Sequence, residues 1–383
     1  MKKILVTFGT RPEAIKMAPV IKELEKYPEN FEVKVCVTAQ HRQMLDQILE
    51  VFSINPDFDL NIMKDDQDIY DITIKILTRI KNILKDEHPD LVLVHGDTTT
   101  TFAASLAAFY QQIKVGHVEA GLRTNNIYSP FPEEMNRLLT TRLSTYNFAP
   151  TESNRENLVR EGVDEAGIIV TGNTVIDALL MILGRIEKDQ ELLEKIERTI
   201  TNSGFPYTGR HAERKLLLIT GHRRENFGEG FKNICNAIKE IASKYPDLDL
   251  IYPVHMNPNV LGPVKKILSE IDNVYLIKPL PYEAFILLMK SSHIILTDSG
   301  GIQEESPTLS VPTVVMRETT ERMEAVDAGT VALVGTDRQK IIDTISSLMD
   351  NPDYYQKMAN SDNPYGDGRA AGRIVDFLKK TLH

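Results

Sequence analysis

Short apolar, β-branched runs alternate with longer amphipathic stretches through the first half of the chain. KILVTF, VKVCVT, LVLVHG, VGHV, YNFAP and IIVTG are separated by segments of helical period, the first over roughly residues 14–27. Runs that are apolar on both faces and spaced by helices mark a parallel sheet covered on both sides. From about Asn173 a helix and the charged segment KDQELLEKIERTITNSGFPYTGRHAERK interrupt the series, which restarts with KLLLITGHR, DLIYPV, VYLIKP, HIILTDSGG and TVVMRE. The pattern predicts an α/β protein of two Rossmann-like domains facing each other across a cleft. Residues 1–172 with 366–383 form the first domain in this reading and 173–365 the second. The closing stretch after NPYGDG has a turn signal followed by helical period, and the fold leads us to expect it to return to the first domain.

Length and composition sharpen this. At 383 residues the chain exceeds the ~250 to 300 at which a single core stops growing. No apolar run approaches the ~18 residues of a membrane span, and the opening run ends in Arg11 and Glu13 without a cleavage site, so it reads as a first strand. These features predict a cytoplasmic protein with no membrane partner. A net charge of −10 opposes non-specific nucleic-acid binding. Cys36 and Cys235 lie far apart in apolar contexts, with neither disulfide nor metal-ligand spacing. No His, Cys or carboxylate set has metal-ligand spacing either, and no metal or other cofactor is expected.

In open parallel sheets ligands bind beyond the carboxyl ends of the strands, which directs attention to GTRPEAIK, HGDTTT, HVEAGLRT, GHRREN and TDSGGIQEE. Thr10, Pro12 and Glu13 fit a capping box at a helix start. Arg11 and Lys16 do not, since two cations near a helix N-terminus oppose its dipole unless an anion sits there. Ser299-Gly300-Gly301 opens a helix after a strand, leaving N–H groups free for a phosphate; alone it is also a common turn, and Glu305 one turn on could meet ribose hydroxyls but, taken without the other segments, reads as facing solvent. Asp97, Glu119 and Glu133 lie at or near strand-end loops. Taken singly, Asp97 reads as an N-cap and Glu133 as a first-turn acid; crowded together, carboxylates would raise one another's pKa and supply the mixture of protonated and ionised groups needed for acid–base work. His222, in GHRREN, suits a phosphate partner. His95 and His117 flank the carboxylates as orienting groups or as satisfied core histidines.

In order, FGTRPEAIKMAPV, TAQHRQML, HGDTTTTFAAS, HVEAGLRT, YSPFPEEMNR, TGNTVIDAL, TGHRREN, DSGGIQEE, TTER and NPYGDG resemble the non-hydrolysing UDP-N-acetylglucosamine 2-epimerases from the first strand to the last helix. The resemblance implies a glycosyltransferase-B-like architecture, a homodimer, and interconversion of UDP-N-acetylglucosamine and UDP-N-acetylmannosamine without metal or nicotinamide. In that family UDP is eliminated to give a 2-acetamidoglucal and then re-added. Carried over by motif, Asp97, Glu119 and Glu133 match the acid–base set and His222 the histidine near the diphosphate. Arg11, Lys16, Ser299, Gly300, Gly301, Glu305 and Arg322 match nucleotide-sugar contacts, and Leu280 and Phe285 fall where the family holds uracil. Gln40, His41 and Gln43 resemble part of a second UDP-N-acetylglucosamine site that activates some bacterial members. Asp65 and Asp66 stand where the family often has an arginine, which weakens that last expectation; Met323 replaces the proline usual after TTER, and SPTLS departs from the common pattern, without bearing on catalysis. A hydrolysing epimerase, a glycosyltransferase of the same fold and a nucleotide-sugar sensor are the rival readings. The carboxylate trio argues against the last two.

Overall fold

The computed structural model describes residues 1–38, 42–63, 66–207 and 214–382, with only the backbone of Arg42 and Gln43. Gln40 and His41, the side chain of Gln43, and Asp65 therefore lie outside the described residues. Two compact units are formed, Met1–Ala178 with Tyr365–His383, and Leu179–Pro364.

The first unit is built on β1 (Lys2–Phe8), β2 (Phe31–Val37), β3 (Phe58–Asp59), β4 (Leu91–His95), β5 (Lys114–Val118), β6 (Tyr146–Ala149) and β7 (Ile168–Val170). They form one parallel sheet in the order β3-β2-β1-β4-β5-β6-β7. Ile4, Leu5, Val6 and Phe8 of β1 and Leu91 through Val94 of β4 are wholly buried, as strands with helices on both faces require. The first helix spans Arg11–Leu24, nearly a turn earlier than its apolar period predicts. Glu13 explains the early start: its Oε2 accepts from the N–H groups of Gly9 and Thr10 and from the Thr10 hydroxyl, satisfying orphan donors of the first turn.

The last helix, Ala370–Thr381, returns to this unit. Asp177 caps it by accepting from the N–H groups of Ala370 and Ala371 at 3.2 and 2.9 Å. The Phe377 ring meets Tyr146 and Phe148 edge-on, with centroids 5.2 and 5.8 Å away. The Tyr365 carbonyl accepts from the Asn173 N–H at 2.7 Å.

The second unit contains β8 (Lys215–Thr220), β9 (Leu248–Pro253), β10 (Val274–Ile277), β11 (Ile294–Thr297), β12 (Thr313–Val315) and β13 (Val331–Leu333). Their parallel order is β10-β9-β8-β11-β12-β13. In each sheet the strand order reverses beside the first strand, between β1 and β4 and between β8 and β11. Those switch points are where a doubly wound sheet opens a crevice at its carboxyl edge. Cys36 and Cys235 are buried, and burial pushes each thiol up to about 12, which leaves them inert packing groups. Among the described residues no helix is long and apolar enough to cross a membrane.

Candidate active site

At the first switch point the loop after β1 and the loop after β4 are fastened together. The buried Glu13 uses its second oxygen to accept from the hydroxyls of Thr98 and Thr101, at 2.8 and 3.2 Å. Gly9 permits the approach, because a Cβ there would lie 2.1 Å from Thr38 Oγ1 and 2.6 Å from Thr100 Oγ1. Thr98, rather than Asp97, caps the helix Thr99–Tyr110, accepting from the Thr101 N–H. Asp97 is thereby released from the capping duty its position suggests.

Glu119 follows β5 in the left-handed region, φ 65°, which turns its carboxylate over Gly96. Its Oε1 lies 3.6 Å from where a Cβ on Gly96 would sit. Oε2 bonds the Lys16 ammonium, accepts from Asn173 Nδ2 at 2.8 Å and stands 3.7 Å from His95 Nε2. Burial alone would raise this carboxyl's pKa, but Lys16 and His95 outweigh it and hold the group well below the usual carboxylate range, the reverse of the mutual raising expected of crowded carboxylates, because cations rather than other acids are its nearest charged neighbours. Lys16 is itself buried. The anion that its place near a helix start calls for is supplied from inside the protein by Glu119, so Lys16 does not by itself require an external ligand.

His117, wholly buried, bonds the Gly96 carbonyl through Nε2 at 2.7 Å. Burial drives its pKa down to about 3, so the ring is neutral and Nε2–H is the donor. It orients the turn carrying Asp97. From the other side Arg137 bonds the Asp97 carboxylate, and Asn136 Nδ2 donates to the Asp97 carbonyl at 3.0 Å. Arg137 is aimed in turn by the buried Glu134, 2.8 Å away, whose other oxygen accepts from the N–H groups of Thr124 and Asn125. Glu133 is the first residue of the helix Glu133–Leu143, half-buried, and has no partner among the described residues. Two adjacent acids thus do different work: Glu134 is structural and Glu133 is available. Arg11 opens the first helix on the same edge, half-exposed.

The second unit repeats the logic with different chemistry. Asp298, directly after β11 and wholly buried, accepts through Oδ2 from the N–H groups of His222 and Arg223 and from Asn226 Nδ2. This pins the loop after β8 to the loop after β11. His222 keeps 48% of its side chain exposed, with Nδ1 3.6 Å from Asp298 Oδ1 and its ring stacked on His255. Burial of the ring lowers its pKa, Asp298 opposes that, and His255 and Arg223 reinforce it; the net direction is downward.

Ser299, Gly300 and Gly301 lead into the short helix Gly300–Glu305. A Cβ on Gly300 would meet the Arg322 guanidinium at 2.8 Å, so any larger residue there would have to displace that side chain. Arg322 bonds Glu304 and Glu321, which places it as a clamp behind the Ser-Gly-Gly turn. Burial raises the Glu321 carboxyl, but Arg322 and Arg317 prevail and hold it at about 2. Glu305 does not face solvent as it reads in isolation: it is buried and accepts from the Tyr282 hydroxyl at 3.1 Å. Tyr282 begins the helix that carries Phe285 and follows Leu280, so Leu280, Phe285 and Glu305 share one corner of the unit.

The structure thus gathers Lys16, Asp97 and Glu119 at the first switch point and His222, Ser299, Gly300 and Gly301 at the second. Glu134, Arg137, Asn173 and Asp298 were not singled out by the sequence. A signal existed for one pair, since Glu134 and Arg137 are spaced i,i+3 on a helix. Among the described residues no cluster of His, Cys, Asp or Glu has the arrangement of a metal site.

Comparison with known proteins gives a consistent picture. The sequence profile of the UDP-N-acetylglucosamine 2-epimerase family matches residues 22–379. A UDP-N-acetylglucosamine 2-epimerase of Campylobacter jejuni is 56% identical over 381 residues, covering 99% of this chain and 98% of that one. The enzyme of the same name from Escherichia coli K12 is 55% identical over 377 residues, with 98% of each covered. The crystal structure of UDP-GlcNAc 2-epimerase from Neisseria meningitidis bound to UDP-GlcNAc superposes with a TM-score of 0.91 at 55% identity, over 99% of this chain and all of that one.

Proposed function

The chain belongs to the UDP-N-acetylglucosamine 2-epimerase family and is an enzyme of that activity, and we propose that it works by the non-hydrolysing route, with UDP-N-acetylmannosamine as the second sugar nucleotide. The proton at carbon 2 is taken by a carboxylate, the bond from carbon 1 to the diphosphate oxygen breaks, and UDP leaves with the electron pair. The 2-acetamidoglucal that remains regains UDP at carbon 1 as a proton arrives at carbon 2 from the other face.

The observation that carries this reading is the state of the first-unit acids. Glu119 is kept ionised in a buried setting by Lys16 and His95, so it stands in the proton-accepting form, although the same cations make it a weaker base than an ordinary glutamate. Asp97 is fixed by Arg137, and Glu133 is half-buried and unpartnered among the described residues. General acid–base catalysis supplies ~10² to 10⁴-fold, too little for an unactivated carbon acid, so stabilisation of the departing diphosphate must carry much of the rest. We assign that work to His222 with the Ser299-Gly300-Gly301 turn, and uracil and ribose recognition to Leu280, Phe285 and Glu305; Arg322 supports the turn from behind, and Arg11 contacts the sugar nucleotide from the first helix. We read the enzyme as a homodimer, in keeping with the apolar Tyr70, Ile74, Phe109 and Tyr110 exposed on the first unit; light scattering giving a monomer mass would remove that part.

The test is incubation with UDP-N-acetylglucosamine in deuterated water, followed by NMR. Both UDP-sugars carrying deuterium at carbon 2 are expected. Free N-acetylmannosamine and UDP without UDP-N-acetylmannosamine would establish the hydrolysing route instead, and turnover only with an added acceptor would establish transfer.

A further inference from the structure

At the second switch point the two oxygens of Asp298 are treated unequally. Oδ2 is saturated by two backbone N–H groups and the Asn226 amide. Oδ1 is buried and has no hydrogen-bond partner among the described residues. An unpaired carboxylate oxygen in the interior is costly, and native structures rarely leave one without a purpose. The group facing it is the His222 imidazole, with Nδ1 at 3.6 Å, just beyond bonding distance. Because nearly half of the His222 side chain is exposed, a small rotation of the ring closes the gap.

The backbone of His222 cannot make the same adjustment. Its N–H is already bonded to Asp298 Oδ2 at 2.9 Å, and the preceding Gly221 carbonyl accepts from the buried Tyr252 hydroxyl at 3.0 Å. The main chain is thus locked from both sides while the ring retains one degree of freedom, and that freedom leads to Oδ1.

We propose that Asp298 is the positioning residue for His222: its Oδ1 accepts a hydrogen bond from Nδ1–H, fixes the imidazole in that tautomer and presents Nε2 to the ligand. This rests on the reading of His222 as a site residue. The arrangement has the logic of a carboxylate behind a working histidine, where the hydrogen bond at one ring nitrogen decides what the other can do. It also supplies a fixed negative charge to stabilise the imidazolium when Nε2 takes up a proton and then donates it in a hydrogen bond to an anionic oxygen. His255, stacked on the same ring at 5.5 Å, has Nδ1 accepting from the Asn257 N–H and cannot serve in place of Asp298.

The full-length protein labelled with ¹⁵N-histidine tests this, with His222→Gln identifying the resonance. In the wild type, long-range ¹H–¹⁵N spectra are expected to show Nδ1 of His222 protonated and Nε2 unprotonated; the opposite tautomer overturns the proposal and needs no Asp298 variant. Asp298→Asn keeps the shape of the side chain but turns an N–H toward Nδ1, and it should reverse the tautomer. With KM for UDP-N-acetylglucosamine little changed, kcat should fall by about tenfold or more, up to the ~10² to 10³ that loss of one charge-stabilising donor costs. In a His222→Gln background the same change should cost nothing further; independent, multiplicative losses would make Asp298 merely structural and overturn the proposal. Full activity of His222→Gln would refute the role of His222 while leaving the tautomer result to stand by itself.

Discussion

A carboxylate that stays ionised with only 8% of its side chain exposed needs cations at close range, and Glu119 has Lys16 for that purpose. Removing one member of a buried pair costs ~3 to 5 kcal/mol because the other is left uncompensated. Lys16→Met should therefore lower the urea midpoint by an amount corresponding to several kcal/mol, and it should do so most at neutral pH, where Glu119 is charged. The sign with pH follows from the depressed carboxyl. Its contribution to stability is complete above the ordinary glutamate value of 4.5 and is lost as pH falls through the lower folded value. Without Lys16 that loss should begin at higher pH, visible as an earlier acid transition in circular dichroism. His117 gives an independent slope. Burial lowers it to about 3 from 6.5, so between those values the unfolded chain binds a proton that the native state refuses, and stability falls with falling pH by at most about 1.4 kcal/mol per pH unit. His117→Gln should flatten that slope in urea titrations between pH 4 and 6; an unchanged slope would mean the ring is not buried neutral. The sequence made Asp97, Glu119 and Lys16 visible because chemistry-bearing residues at strand ends stand out against apolar strands. It did not separate Glu133 from Glu134. Neighbouring acids in a first helical turn point ~100° apart, and which of them faces inward depends on the rotation of the helix against its sheet.

At the scale of elements, strands that are apolar on both faces announced themselves, and so did the break between the two series. Strand order did not, because periodicity carries no information about which strands pair. β3, with only Phe58 and Asp59, was invisible for another reason: two residues are too short for any period, and its place is set by pairing with Cys36 and Val37. The first helix began earlier than its apolar stripe because capping by Glu13, not burial, fixes the first turn. The helix Ala370–Thr381 is the element on which a local interaction has the longest reach. Asp177 caps it from far away in sequence, and burial raises that carboxyl to about 6 despite the bonds from Ala371 and Ala370. Loss of a cap typically costs ~0.5 to 2 kcal/mol. Asp177→Ala should weaken amide protection across 370–381 in hydrogen exchange by that amount while leaving β8 through β13 unchanged. Uniform loss of protection throughout the chain would show that the helix is not a separate cooperative element.

Across the whole molecule the two units are connected unequally. Leu179–Pro364 is contiguous, with its own core around Phe231, Ile238, Tyr252 and Leu296. The other unit is assembled from both ends of the chain and cannot be completed by 1–178. Without 365–383 the Tyr146 and Phe148 rings lose Phe377, the Asn173 N–H loses the Tyr365 carbonyl, and Asp177 is left as a buried carboxylate with its two backbone donors gone. Loss of the buried Ile374 and Leu378 side chains of that helix is comparable to large-to-small core changes of ~2 to 5 kcal/mol each, a large share of the ~5 to 15 kcal/mol that holds a domain together. A fragment of 179–364 should therefore unfold cooperatively by itself and bind UDP in calorimetry, since Asp298, His222 and the Ser-Gly-Gly turn all lie within it. A fragment of 1–178 should fail to fold alone and recover native circular dichroism when a peptide of 365–383 is added. The reverse pattern, a stable 1–178 beside an unfolded 179–364, would mean that the chain's closing helix is an ornament and that the second unit depends on the first for its core.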